Sequence, residues 1–256
     1  CVHDGLAMVH VETPTNPRLR IIDLKRVADA CKQAGAIMLV DNTFASPALQ
    51  NPLQCGADLV MHSATKYLGG HSDLCAGVIL GNRDRIAPMH ELAINLGGSL
   101  GARDAWLLER SIKTLNVRVE RQSQNALAIA EYLAAHDAVE SVDYPGLPNH
   151  PGHDIAASQM SAFGGMLSFT VKEPLRAKEI EQSLQLISSA VSLGGVESTI
   201  CQPILTSHAK VAPQEREAQG VNDRLLRLSV GIEDVEDLIG DLEGAFFSSL
   251  HGPARS

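Results

Sequence analysis

The chain has 256 residues, 45% of them hydrophobic and 20% charged, and its 21 Lys and Arg against 30 Asp and Glu give a net charge of −9. This allows one large or two smaller domains and supplies ample apolar material for a core. The acidic balance, with no Lys/Arg-rich block, excludes a basic nucleic-acid or anionic-membrane surface, and no apolar run reaches the length of a membrane span.

Val9–Val11 reads as a strand that ends at Glu12-Thr13-Pro14-Thr15-Asn16-Pro17, where two prolines and polar neighbours predict an extended loop. Residues 21–34 read as a helix with Leu24, Val27, Ala28 and Cys31 on one face and Gly35 as its stop. Ala36–Val40 is continuously apolar, as expected of a strand covered on both faces, and Leu59–Met61 and Gly77–Leu80 repeat that character. The rhythm predicts a mostly parallel sheet flanked by helices.

Residues 101–135 read as a long helical stretch with a break near Asn116, burying Trp106, Leu107, Leu108, Ile112, Leu115, Val119, Leu127, Ile129, Ala130 and Leu133 and bridging two domains. Beyond it, strands over 139–143, 166–171 and 225–230 alternate with helices over 177–186 and 235–250, which predicts a smaller α+β domain. The tail 252–256 is expected to fray. Five cysteines (Cys1, Cys31, Cys55, Cys75, Cys201) form no CxxC pair, and four lie in apolar or small-residue surroundings. A reduced, cytoplasmic setting is expected.

The chemistry concentrates in Ser63-Ala64-Thr65-Lys66-Tyr67-Leu68-Gly69-Gly70-His71-Ser72-Asp73. Lys66 stands where the chain leaves a strand, among hydroxyls suited to an anion and glycines that let backbone approach a ligand. With almost no charged neighbours in sequence, it reads as a nucleophilic amine of the Schiff-base kind, tuned by desolvation and nearby charge. Asp41, at the carboxyl end of an apolar strand, has two readings: a carboxylate pairing with a protonated ring nitrogen, or a cap on the turn through Asn42-Thr43. Ser63 and Thr65 either hold a phosphate or close a turn. Histidines 62, 71 and 90 lack metal-ligand spacing, and there is no GxSxG elbow. No metal is expected.

These motifs, with Ser192-Leu193-Gly194-Gly195-Val196-Glu197-Ser198 and Arg227-Leu228-Ser229-Val230-Gly231-Ile232-Glu233-Asp234, resemble the Cys/Met-metabolism (trans-sulfuration) family of pyridoxal-phosphate enzymes from Glu12 to Leu250. The resemblance implies an α/β, aspartate-aminotransferase-like (fold type I) sheet domain over 1–112 and a smaller α+β domain over 113–256. It makes Lys66 the catalytic lysine that binds pyridoxal 5'-phosphate and shuttles protons. Asp41 would pair with the pyridine nitrogen, Ser63 and Thr65 would bind the phosphate, and Asn16 would bond the ring hydroxyl oxygen. Ser192 and Arg227 would hold the substrate's α-carboxylate, for which a guanidinium fork is apt. A sulfur amino-acid substrate and a homotetramer built from tight dimers, with the active site at the dimer interface, are implied as well.

Members of the family ordinarily carry a sizeable segment upstream of the Glu12 motif, with a ring-stacking aromatic, a phosphate loop, and a Tyr and an Arg that reach the neighbouring subunit. This sequence is therefore expected to hold the lysine side of the pocket. Val191 stands where several γ-synthases and γ-lyases carry a glutamate, and Cys201-Gln202-Pro203 replaces a common His-Pro. The expected activity is a carbon–sulfur lyase eliminating at Cβ or Cγ of cystathionine or a related substrate. The alternatives are a γ-replacement enzyme (cystathionine γ-synthase or O-acylhomoserine sulfhydrylase) and a non-catalytic fragment.

Overall fold

The computed structural model of the chain describes residues 5–251; Cys1 and the tail 252–256 lie outside the described residues. The first half alternates strand and helix: β1 (Met8–Glu12), α1 (Leu24–Ala34), β2 (Ile37–Asp41), the short α2 (Ser46–Leu49), β3 (Leu59–Ser63) and β4 (Gly77–Gly81). The four strands form a sheet in the order β1-β2-β3-β4, parallel except for the antiparallel β4. Parallel neighbours need crossovers, and α1 supplies the first. It begins at Leu24, three residues later than the periodicity predicts, because the Asp23 carboxylate accepts from Arg26 N at 3.0 Å and caps it. Gly35, at φ 67°, ends it as predicted.

Leu24, Ala28 and Cys31 of α1 pack on Met38, Val40 and Val60, so the central strands β2 and β3 are buried on one face. The opposite face is not. Ile37, Leu39 and Met61 are half-buried, while Met8 and Ile79 are exposed. The expectation that these strands are covered on both faces therefore fails for the described residues. Residues 13–22 also differ from the expected extended loop. Leu19 N donates to Thr15 O at 2.9 Å across a turn, and the Thr13–Pro14 and Asn16–Pro17 bonds are cis.

Three helices follow: α3 (Arg83–Leu96), α4 (Ala102–Ile112) and α5 (Leu115–Ala135). The break in the long stretch falls at Lys113–Thr114, just before the predicted Asn116. Trp106 and Ile112, expected in the core, are 61% and 43% exposed. The only residue α4 fully buries is Ser111, so the apolar pattern of that helix marks an open face. From Leu115 onward the expectation holds. Leu115 and Val119 pack beside Tyr67, Leu68 and Met166, whereas Ala126, Ile129, Ala130 and Leu133 enter a second core. One helix thus touches the second sheet and the turn that follows β3 of the first.

That second core lies under β5 (Val139–Asp143), β6 (Met166–Val171) and β9 (Leu225–Ser229), joined by β8 (Thr199–Cys201) and β7 (Ser188–Ser189) in the order β5-β6-β9-β8-β7. Helices α6 (His153–Gln159), α7 (Ala177–Ser183), α8 (Pro213–Ala218) and α9 (Val235–His251) complete the chain. Helix α7 stops at Ser183, short of the predicted 186, because the Asp241 carboxylate of α9 accepts from the amides of Gln185, Leu186 and Ile187 at 2.8–3.0 Å. Of the cysteines, Cys31 and Cys201 are buried, Cys55 is half-buried and Cys75 is exposed, so Cys75 is no packed thiol. No described helix is long and apolar enough to cross a membrane.

Candidate active site

Parallel pairing brings the carboxyl ends of β1, β2 and β3 to one edge. Glu12 is the register partner of Asp41, and Ser63 ends the next strand. Thr43, two residues past β2, ties this edge together. Its amide donates to Asp41 Oδ1 at 2.9 Å and its hydroxyl accepts from Ser63 N at 2.8 Å. Both readings of Asp41 are thus physically compatible. One oxygen caps the turn, while the other makes no hydrogen bond among the described residues.

Lys66 follows on a tight turn, with Lys66 N donating to Ser63 O at 3.1 Å, Gly69 N to Ala64 O at 2.8 Å and Gly70 N to Lys66 O at 2.7 Å. Its amine is half-buried and has no hydrogen-bond or ion-pair partner among the described residues. Burial first, and the Arg227 guanidinium second, hold that amine below the usual lysine range, against an opposing pull from Cys75. The Ser63 hydroxyl is likewise without a partner. Thr65 is more committed: its hydroxyl accepts from Ala76 N at 3.0 Å and donates to Ala76 O at 3.3 Å. To serve a phosphate it must rotate its proton away from Ala76 O.

Arg227 and Ser192 arrive from the second sheet and its loops, and Asn16 from the loop after β1. Arg227, on β9 and only 4% exposed, donates from Nη1 to Asn16 Oδ1 at 2.9 Å and from Nη2 to Val191 O at 3.0 Å. The Asn16 side-chain amide nitrogen stays free to donate, as a bond to a ring oxygen requires. Ser168 Oγ donates to Pro17 O at 2.7 Å, docking the same loop on β6. Ser192 is half-buried beside Val191, with its hydroxyl unengaged and its carbonyl accepting from Thr199 Oγ1 at 3.1 Å. The loop 192–198 lies on the lysine turn: Val196 N donates to Gly70 O at 3.0 Å and Gly194 N to Ser229 Oγ at 2.8 Å. Gly194 has φ 75°, and a Cβ there would sit 2.8 Å from Tyr67 N, so the close approach needs glycine.

An amine, a carboxylate with a free oxygen, free hydroxyl and amide groups, and a partly engaged guanidinium therefore converge from β1, β2, β3 and β9. This donor set fits a phosphorylated pyridine aldehyde: a nucleophile for the carbonyl, an anion for the ring nitrogen, and hydroxyls for the phosphate. A cleft of about 1400 Å3 on the far side, around α1 with Asp23, Arg26, Asp58 and Arg85, contains none of these groups.

Glu12 belongs to the first motif, and nothing in its sequence neighbourhood signals a role. Burial and the neighbouring Asp41 carboxylate push its carboxyl up to about 7, against the Asn16 amide and Arg227. The folded protein then holds a proton that the unfolded chain, at 4.5, has lost. Stability is full below that value and declines as pH rises to about 7, by roughly 3 kcal/mol in all. Glu12→Gln should remove this slope, which urea unfolding at pH 5 and pH 7.5 measures directly. Unchanged pH dependence would show that Glu12 is not the titrating group.

The family model for Cys/Met metabolism PLP-dependent enzymes matches residues 2–247. A cystathionine beta-lyase of Lactococcus lactis subsp. cremoris is 49% identical over 238 residues, 93% of this chain and 63% of its own length. A cystathionine gamma-synthase of Mycobacterium bovis is 50% identical over 240 residues, 93% of this chain and 61% of its own. The crystal structure of a cystathionine gamma-lyase from Lactobacillus plantarum complexed with L-serine superposes with a TM-score of 0.93 at 40% identity, covering 95% of this chain and 64% of that one. The chain belongs to the Cys/Met-metabolism family of enzymes that use pyridoxal phosphate. It has the fold of that family and spans just under two thirds of the length of these relatives.

Proposed function

We propose that this chain is the lysine-bearing part of a pyridoxal-phosphate carbon–sulfur lyase of sulfur amino-acid metabolism, acting at Cβ or Cγ of cystathionine or a related amino acid. The observation that carries this reading is the unpartnered, half-buried Lys66 amine at the strand-end edge, held below its usual pKa. When bound, the cofactor supplies an electron sink for the carbanion formed at the substrate's Cα. Asp41's free oxygen would anchor the ring nitrogen, and Ser63 and Thr65 would receive the phosphate. Arg227, with donors left on its fork, and Ser192 would orient the α-carboxylate and so present the Cα–H bond to Lys66. As a low-pKa amine, Lys66 takes that proton at Nζ and returns it as an acid when the sulfur departs.

A γ-replacement reaction is the second reading. It is favoured by the 50% identity to a cystathionine gamma-synthase, as high as that to a lyase. The two part on one assay with cofactor added. A lyase releases keto acid and ammonia from cystathionine without any thiol. No release from any thioether amino acid would overturn the lyase, and thiol-dependent product from an O-acylhomoserine would establish replacement.

The division at 112/113 into sheet domain and α+β domain belongs to the same proposal, with α5 as the connecting spine. So do a cytoplasmic location and a dimer-of-dimers assembly. For the assembly, support comes from α3, which buries no residue, and from its exposed Leu92, Ile94 and Leu96.

A further inference from the structure

One face of α5 is polar and buried. Arg118, Gln122 and Asn125, at helical spacing of four and three, are 4%, 0% and 2% exposed, and each donates to the carbonyl of a loop at the pocket. Gln122 Nε2 reaches Gly195 O at 2.6 Å, and Asn125 Nδ2 reaches Gly231 O at 3.1 Å and Glu233 O at 2.9 Å. Arg118 is bound most extensively. Its Nη1 donates to Tyr67 O at 2.9 Å, its Nη2 to Ser111 O at 3.1 Å and, at the long limit of 3.5 Å, to Leu68 O, and its Nε to Thr114 Oγ1 at 3.1 Å.

Two features set Arg118 apart from a packing residue. Its guanidinium is buried with no carboxylate in ion-pair range among the described residues. An apolar side chain of similar volume would avoid that desolvation cost. The charge is instead spent on the carbonyls of the two residues that follow Lys66, where a planar fork fixes directions that a flexible ammonium does not. The backbone is also shaped to receive it. Gly70, at φ +72°, passes so close that a Cβ there would lie 1.9 Å from Arg118 Nη1, and its amide donates to the Lys66 carbonyl.

We propose that Arg118 is a positioning residue for Lys66: it clamps the Tyr67 and Leu68 carbonyls and, through Gly70, fixes the turn that aims the amine at the cofactor's aldehyde. The step it serves is carbon–nitrogen bond formation between Lys66 Nζ and that aldehyde, with loss of one water. This inference rests on the proposed role of Lys66 and adds a residue of the connecting helix to the machinery.

The test uses the protein with pyridoxal phosphate added and measures two quantities separately. One is total bound cofactor, by equilibrium dialysis; the other is the fraction fixed covalently on borohydride reduction. Arg118→Met and Gly70→Ala should each keep bound cofactor within about threefold yet lower the covalent fraction per bound cofactor roughly tenfold, because misorientation penalises bond formation more than binding. Arg118→Lys should restore part of it. The double variant should fall no further than either single one, since both changes break the same contact.

Circular dichroism monitors folding. If Arg118→Met does not fold, Gly70→Ala and Arg118→Lys give the same reading with the charge retained. An unchanged covalent fraction per bound cofactor overturns the proposal, as does a parallel loss of binding and bonding. If the unaltered protein itself fixes no cofactor, the role of Lys66 falls and this inference with it. If it fixes cofactor and the variants fix as much, only the role of Arg118 falls.

Discussion

Lys66→Ala is expected to abolish the visible absorption band that forms when pyridoxal phosphate is added, and to cut any carbon–sulfur cleavage by about 10^3-fold or more. The effect is large because one group does two jobs. On the proposed reading Lys66 is both the nucleophile that fixes the cofactor and the base that takes the substrate's Cα proton. Ser63, Thr65, Asp41 and Asn16 are untouched by the substitution, so the cofactor should still bind non-covalently. Removing a half-buried amine that makes no hydrogen bond should cost little stability. A variant that loses cleavage while keeping its cooperative unfolding isolates the chemistry. One that retains the band would show that another amine carries the cofactor.

Arg227→Met is the second large effect. The guanidinium is buried and serves Asn16 Oδ1 and Val191 O, so truncation leaves two acceptors without their donor and, on the proposed reading, a substrate carboxylate without its partner. Charge-assisted, buried interactions of this kind cost about 4 kcal/mol to break, or roughly 10^3-fold in KM. Arg227→Lys should recover only part, because an ammonium cannot reproduce the fork.

The substitution should also move the pH dependence. Arg227 is the second cause of the depressed Lys66 pKa, and it opposes the raised pKa of Glu12. Without it both pKa values rise, so the fraction of neutral Lys66 amine at a given pH falls and the activity profile shifts to higher pH. Steady-state kinetics across pH 6 to 10 separate the two consequences. An unchanged KM with an unshifted profile would place Arg227 outside the pocket.

The strand-end chemistry was legible in the sequence because it obeys a local rule: an apolar run followed at once by Asp41, or by Ser63 and Lys66, places those groups at the carboxyl edge of a parallel sheet. The α1 helix was legible for a similar reason, with an apolar stripe and Gly35 as its end. What stayed hidden depends on distant partners. The early stop of α7 is set by Asp241 on α9, far along the chain. The raised pKa of Glu12 comes from burial and from a register with Asp41, both of which exist only after folding. Helix α3 buries nothing, so it offered no stripe to detect, and the same openness turned Trp106 from a presumed core residue into a surface one. On α5, Arg118, Gln122 and Asn125 look in sequence like an ordinary solvated face. Their burial follows from the loops that wrap that side of the helix.

On the proposed reading the Lys66 amine, and no other, carries the cofactor. Incubating the protein with pyridoxal phosphate, reducing with borohydride and mapping the proteolytic peptides by mass spectrometry tests it most directly. One phosphopyridoxyl addition is expected, on the peptide containing Lys66 and on that residue. An addition spread over the other lysines, or none at any cofactor concentration that saturates related enzymes, would contradict it.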